Sequence, residues 1–281
     1  MFKIVYVEVS NICGLACSFC PPKPLPNKTM SLDFFKSVLE ELVGKTKLIA
    51  LHVMGDPLVL SNLREYLSIA HFYGFLVELT TSGYYMNNHK ADELLKKPLR
   101  QLNISLNAFN KNSLNISLDE YMDGVFNYVD EKLKNHHEPF INLRLWNLDE
   151  QMSESEFNKQ IFAKLKSHFK LDIDTKVKSF RLAPKVRLHF DSYFEWPSLS
   201  LSHFSHGSCY GLSSQIAILA SGVVVPCCLD GDGVINLGDL HTQSLDEVLS
   251  SKRAKDILEG FKKGVAVEEL CQKCSFKSRF V

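Results

Sequence analysis

The eight cysteines of this 281-residue chain fall into two groups, one near each end, with spacings that suit metal ligands. Cys13-x3-Cys17-x2-Cys20 sits in a segment that also carries Gly14 and closes on Pro21-Pro22. Three thiolates can hold three irons of a cubane cluster and leave the fourth open to an external ligand, whereas a four-cysteine site is closed. Zinc or a simple structural role also suits short cysteine spacings, and soft thiolates favour either zinc or iron–sulfur. The second group is Cys209, the adjacent pair Cys227-Cys228, and Cys271-x2-Cys274. Four of these thiolates could close a tetrahedral zinc site or a 4Fe–4S site, and on physical grounds the two are comparable. Adjacent strand residues point to opposite faces, so only one of Cys227 and Cys228 is expected to face such a site. His203 and His206, upstream of Cys209, read as polar loop residues rather than ligands.

Composition narrows the setting. Hydrophobic residues make up 45%, enough for a substantial core. Lys plus Arg and Asp plus Glu both count 32, so no net field draws the chain to nucleic acid or to an anionic membrane. The first ten residues read as a strand rather than a signal peptide, and no apolar run is long enough to span a bilayer. A cytoplasmic location is therefore expected, with no membrane or nucleic-acid partner. In a reducing compartment, cysteines clustered in this way point to metal or redox chemistry rather than disulfides.

The elements that must position these thiols follow from periodicity. Short β-branched or apolar runs alternate with helical stretches through the first two thirds, the pattern of βα units around a parallel sheet. Strands are expected at Ile4–Val9, Leu48–Val53, Phe75–Thr80, Gln101–Leu106, Phe140–Leu145 and Ser179–Leu182. Helices are expected at Leu32–Val43 behind Ser31, at Asn62–Tyr73, His89–Lys96 and Leu118–Lys134, and at Phe157–Phe169 behind a Ser153/Glu156 capping box. Residues 183–208 show no clear period and hold the expected boundary between domains 1–190 and 191–281. Beyond it, Gln215–Leu219 and Val223–Pro226 flank Ser221-Gly222 as a hairpin, Ser244 with Glu247 caps a short helix, and Ala254–Lys262 forms another.

The cysteine triad follows the first strand directly, and Phe19 precedes its last member. In both respects it resembles the signature of the radical S-adenosylmethionine superfamily. His52-Val53-Met54-Gly55-Asp56-Pro57 ends the second strand where that family usually has Gly-Gly-Glu-Pro; Gly55 and Pro57 match, while Met54 and Asp56 depart. Thr80-Thr81-Ser82-Gly83 and Ser105-Leu106-Asn107 sit where similar enzymes touch the cofactor's ribose and carboxylate, and Arg144 on the fifth strand could pair with that carboxylate. The resemblance thus makes Phe19, Gly55, Asp56, Pro57, Ser82, Ser105, Asn107 and Arg144 the expected cofactor contacts. All of these lie at the carboxyl ends of strands, where parallel α/β sheets and barrels place their ligands. Gly222-x4-Cys227, Leu237-Gly238-Asp239-Leu240 and Cys271-x2-Cys274 are similar to the SPASM and twitch appendages of the same superfamily, which carry auxiliary clusters.

The resemblance implies an α/β fold: a partial (β/α)6 barrel of the radical S-adenosylmethionine type with a small C-terminal twitch/SPASM-like α+β appendage. It implies a 4Fe–4S cluster on Cys13, Cys17 and Cys20 that binds S-adenosyl-L-methionine. One auxiliary 4Fe–4S cluster on Cys209, Cys227, Cys271 and Cys274 is also implied, leaving Cys228 as a buried small hydrophobe. The implied chemistry is reductive cleavage of S-adenosylmethionine to a 5′-deoxyadenosyl radical that abstracts hydrogen from substrate. A net oxidation of a small molecule assisted by the auxiliary cluster is the leading expectation, with flavodoxin or ferredoxin as reductant. A peptide-modifying enzyme and a non-catalytic metal-stabilised binding protein are the alternatives.

Overall fold

A computed structural model describes residues 1–147, 155–202 and 206–280. Its N-terminal part runs β1 (Ile4–Val7), α1 (Leu32–Leu42), β2 (Leu48–Ala50), α2 (Leu63–Phe72), β3 (Leu76–Thr81), α3 (Ala91–Leu94), β4 (Leu99–Ser105), α4 (Asn107–Asn110), α5 (Leu118–Lys134), β5 (Phe140–Trp146), α6 (Ser155–Phe169), β6 (Ser179–Ala183) and β7 (Val186–Asp191). The rest comprises β8 (Gln215–Ile218), β9 (Val223–Val225), β10 (Gly238–Asp239), α7 (Leu245–Ser250), α8 (Lys252–Lys262) and α9 (Glu269–Gln272). Ser153 and His203 lie outside the described residues, so the expected capping box before α6 and the first histidine upstream of Cys209 have no structural account.

Described strands form one sheet in the order β10-β9-β8-β1-β2-β3-β4-β5-β7-β6. β1 to β5 and then β7 pair in parallel, the arrangement of an open six-stranded βα barrel. The sixth parallel strand is not Ser179–Leu182, as expected, but β7. Ser179–Ala183 is β6, an edge strand antiparallel to β7. The signal for β7 was present, since Val186, Leu188 and Phe190 alternate with polar residues and are fully buried. It was obscured because the intervening turn uses Lys185 at φ 58° instead of a glycine. On the other side, β8 pairs in parallel with β1, so the C-terminal hairpin of β8 and β9 extends the same sheet.

Alternation along the strands separates two environments. Val5, Val7, Ile49, Val77, Leu79, Leu102, Ile104, Ile141 and Leu143 are fully buried in the main hydrophobic core. The alternate positions are polar: Tyr6, Glu78, Thr80, Gln101, Asn103, Ser105, Asn142 and Arg144. Asn103 links three strands there, accepting from Gln101 at 2.9 Å and Asn142 at 3.1 Å and donating to Thr80 Oγ1 at 3.3 Å. The helix caps expected at Ser31 and Ser244 are present, the latter as a complete capping box with Glu247. α5 spans its expected residues without change.

Candidate active site

The N-terminal cysteines lie beyond the carboxyl end of β1, in a loop held from three sides. Asp56 N donates to Ile12 O at 3.0 Å, tying the loop to the segment after β2. A Cβ at Gly55 would lie 1.9 Å from Ser10 O, so only glycine permits this approach. Gly14, at φ +69°, has the Tyr85 hydroxyl 2.1 Å from where a Cβ would stand. From a third direction Asn112, just beyond α4, accepts from Ala16 N at 2.9 Å and donates to Cys17 Sγ at 2.9 Å, while Ser18 N donates to Lys111 O at 3.2 Å. A hydrogen bond from the Cys20 thiol, with the one from Asn112, brings the Cys17 thiol down to about 7. Phe19 meets Trp146 edge to face at 4.8 Å, and Trp146 in turn meets Tyr193 at 5.3 Å.

Asp56 and Ser82 are brought together by the fold, and their side chains engage one another. Asp56 Oδ2 accepts from Thr81 Oγ1 at 2.9 Å, Ser82 N at 2.8 Å and Ser82 Oγ at 2.6 Å, and Oδ1 accepts from Leu58 N at 3.0 Å. The buried carboxylate therefore fastens the β2 loop to the β3 loop and caps the short turn that Pro57 begins. Burial pushes its pKa up, against the pull of the Ser82 hydrogen bonds. At the end of β4, Asn107 Oδ1 accepts from Trp146 N at 2.9 Å, whereas its buried Nδ2 has no partner among the described residues. Ser105 lies in register with Arg144 on β5. Glu8, whose role was not anticipated, accepts from Met54 N at 2.8 Å and Ala220 N at 3.1 Å, joining the β2 loop to the end of β8.

The C-terminal thiols gather on the other side of the same barrel mouth. Cys209, Cys227, Cys228, Cys271 and Cys274 all line one cavity of about 510 Å³, together with Tyr6, His52, Thr80 and Arg144 from the barrel interior. Burial is the largest influence on each of these five thiols and raises them all, so holding them as thiolates requires a cation among them. Cys227 lies within the electrostatic reach of Cys209 and Cys271. Cys228, expected to be a buried small hydrophobe, lines the same cavity as Tyr6 and Cys209. The buried Lys277 donates to Cys271 O at 2.9 Å and adds positive charge beside Cys274, Cys271 and Cys209. Among the described residues no three cysteine sulfurs lie within 4.8 Å of one another. A tetrahedral zinc ion would gather its sulfurs to about 3.8 Å. Three soft thiolates at one site and four at the other are donor sets that fit a cubane cluster. The orphaned Asn107 Nδ2 likewise fits a cofactor with an acceptor group at the end of β4.

A strap forms part of the cavity wall. Residues following β7 place Phe194 and Trp196 in its wall, and Arg279 from the C-terminal tail holds this strap. Arg279 donates to Asp191 Oδ1 at 3.2 Å, to Ser192 O at 3.0 Å and to Tyr193 O at 3.4 Å, and lies over the rings of Phe276 and Phe194. No described helix is long and apolar enough to cross a membrane.

Comparison with known proteins agrees with this arrangement. Residues 7–142 match the model of the radical SAM superfamily, and residues 209–275 match that of an iron–sulfur cluster-binding domain, SPASM. Over 145 residues, 46% of this chain, the sequence is 28% identical to GTP 3′,8-cyclase of Helicobacter pylori; the match spans only 43% of that relative's length. BtrN, solved in complex with AdoMet and 2-DOIA, is similar with a TM-score of 0.63 at 16% identity, over 98% of this chain and 93% of that one. The anSMEcpe structure with bound AdoMet and a Cp18Cys peptide gives a TM-score of 0.58 at 14% identity, over 98% and 87% of the two chains. With cysteine loops and barrel order in agreement, the chain belongs to the radical S-adenosylmethionine superfamily and carries a SPASM iron–sulfur cluster-binding domain.

Proposed function

We propose that this protein is a radical S-adenosylmethionine enzyme that oxidises a small molecule enclosed between its two cysteine sites. Cys13, Cys17 and Cys20 are the ligands of the cofactor-binding 4Fe–4S cluster; Cys209, Cys227, Cys271 and Cys274 are those of an auxiliary one. When bound, these groups supply a 5′-deoxyadenosyl radical that removes a hydrogen atom from substrate, and an acceptor for the second electron of a net two-electron oxidation. The chain's own residues position and enclose. Asn112 fixes the loop around Cys17, and Asp56 fixes the backbone of Gly55 and Pro57 against the β3 loop. Asn107 Nδ2 and the Ser105 hydroxyl are the groups offered to S-adenosylmethionine at the end of β4. Phe194, Trp196 and Phe276 keep water and stray hydrogen donors out. A low-potential donor of the flavodoxin or ferredoxin kind supplies the electron.

The observation that carries this reading is the shared cavity, lined at once by barrel-interior side chains and by the C-terminal thiols. A substrate in it would lie beside the C-terminal thiols and the barrel-interior residues Tyr6, His52, Thr80 and Arg144, while the N-terminal cysteines stand outside its lining. Its volume of about 510 Å³ is of the size that holds a small molecule. Anaerobic reconstitution tests the cluster assignment: two 4Fe–4S clusters amount to about eight irons per chain. S-adenosylmethionine should perturb the spectrum of one cluster only. Cys271→Ala should remove the unperturbed cluster and Cys17→Ala the perturbed one; a single cluster in the wild type, or zinc at the C-terminal site, contradicts the reading.

A further inference from the structure

A lysine is buried against the C-terminal cysteines. Lys277, three residues beyond Cys274, is 4% exposed and lines the same cavity as Cys209, Cys227, Cys271 and Cys274. Its ammonium donates to Cys271 O at 2.9 Å and to Gln272 O at 3.3 Å, two carbonyls of the last turn of α9, where lysines commonly bind. The stem lies against Gly207: a Cβ there would stand 3.2 Å from Lys277 Cδ and 3.3 Å from Cγ and Cε. Stem and head are both fixed, so the charge is held in one place beside Cys274, Cys271 and Cys209, on which it acts. Two other cations of the same segment are directed elsewhere, Lys273 to Glu269 at 3.1 Å and Arg279 to Asp191 at 3.2 Å.

A 4Fe–4S cluster held by four thiolates carries net negative charge, and reduction adds one electron more. A low-dielectric surrounding disfavours that more highly charged form and lowers the potential, whereas a fixed cation nearby stabilises it and raises the potential; net charge, hydrogen bonding and exposure are the quantities that set it. We infer that Lys277 acts through the auxiliary cluster, raising its reduction potential and so fitting it to accept the second electron of the substrate oxidation. The inference rests on the proposed cluster on Cys209, Cys227, Cys271 and Cys274. A lysine that merely caps α9 and keeps Cys271 and Cys274 in place is the rival role. The two differ in what they change: a cap decides whether the cluster is retained, and a charge decides the potential at which it is reduced.

Anaerobically reconstituted holoprotein is titrated against electrode potential, and reduced clusters are followed by electron paramagnetic resonance. The auxiliary cluster is the signal that S-adenosylmethionine does not shift and that Cys271→Ala lacks. In Lys277→Met, of similar length but without the charge, the ratio of reduced to oxidised auxiliary cluster at the wild-type midpoint should fall about tenfold, a potential lower by about 59 mV for one electron. Lys277→Arg keeps the charge and should stay within threefold of the wild type, and the N-terminal cluster should keep its potential in every variant. A change of less than threefold in Lys277→Met overturns the inference, as does Lys277→Arg falling as far as Lys277→Met or a parallel shift of both clusters. Where Lys277→Met does not retain the cluster, Lys277→Gln, which keeps a donor for the α9 carbonyls, is titrated against the same thresholds. Loss of the C-terminal irons from both neutral variants also overturns the inference and leaves Lys277 a structural cap. Failure of the cluster assignment shows in the wild type instead, as zinc or no cluster at the C-terminal cysteines.

Discussion

Replacing Asp56 by Asn separates a structural fastening from a cofactor contact. The carboxylate accepts three hydrogen bonds at Oδ2 and one at Oδ1. An amide in its place keeps one acceptor oxygen, which is best used on the three donors Thr81 Oγ1, Ser82 N and Ser82 Oγ. Its NH2 then opposes Leu58 N, a donor against a donor. One charge-assisted bond is lost, worth about 1.5–3 kcal/mol, and a buried N–H is left unmatched. The three surviving bonds weaken as the acceptor becomes neutral. Relief of the buried charge, whose pKa burial raises, offsets part of this. The net destabilisation is about 2–4 kcal/mol, an unfolding temperature lower by roughly 10 °C for a domain of this size. The assay is thermal unfolding of the reconstituted protein, without S-adenosylmethionine, followed by circular dichroism. A variant that unfolds with the wild type in the absence of cofactor, yet binds S-adenosylmethionine at least tenfold more weakly, would refute the fastening role and make Asp56 a cofactor contact.

Three further perturbations probe the same scaffold. Asn112→Ala removes the clasp on Ala16 N and Cys17 Sγ and should lower iron retention at the N-terminal site while leaving the C-terminal cluster intact, as read by iron analysis and Mössbauer spectra. Gly55→Ala drives a Cβ to 1.9 Å from Ser10 O, a backbone atom that cannot swing away, so a loss of about 3 kcal/mol and poor cluster loading are expected from unfolding and iron content. His52 is held down at about 3 by burial, with Arg144 adding to the effect, against its ordinary 6.5. Because the unfolded chain binds that proton more readily, stability should be complete above pH 6.5 and fall as pH drops toward 3. His52→Phe should flatten that decline in denaturant titrations of the cluster-free chain; an unchanged pH slope would remove His52 from the account.

Much of the machinery was legible in the chain because its signals are local. The cysteine spacings need no tertiary information, and the first five parallel strands announce themselves by runs such as Ile4–Val7 and Phe140–Trp146 whose alternate residues are buried. β7 alternates just as clearly, and was missed because a turn without glycine hid its start. Asp56 and Ser82 stood out as strand-end residues, but only the folded barrel shows that they bond to each other. The clasp of Asn112 on Cys17 joins residues 95 apart, and nothing near either one predicts it. Glu8 was a readable warning, a carboxylate within an apolar strand that must find donors if buried. Tyr6 and Cys228, on different elements, likewise line one cavity only because β8 pairs with β1.

The most direct test of the central claim is cofactor cleavage. Anaerobically reconstituted protein is given S-adenosylmethionine and dithionite, and 5′-deoxyadenosine is quantified against Cys17→Ala and Cys271→Ala variants. Nucleoside formed by the wild type and lost with Cys17, but not with Cys271, is the predicted result. No nucleoside from wild-type protein with both clusters loaded, or equal amounts with and without Cys17, would contradict the account.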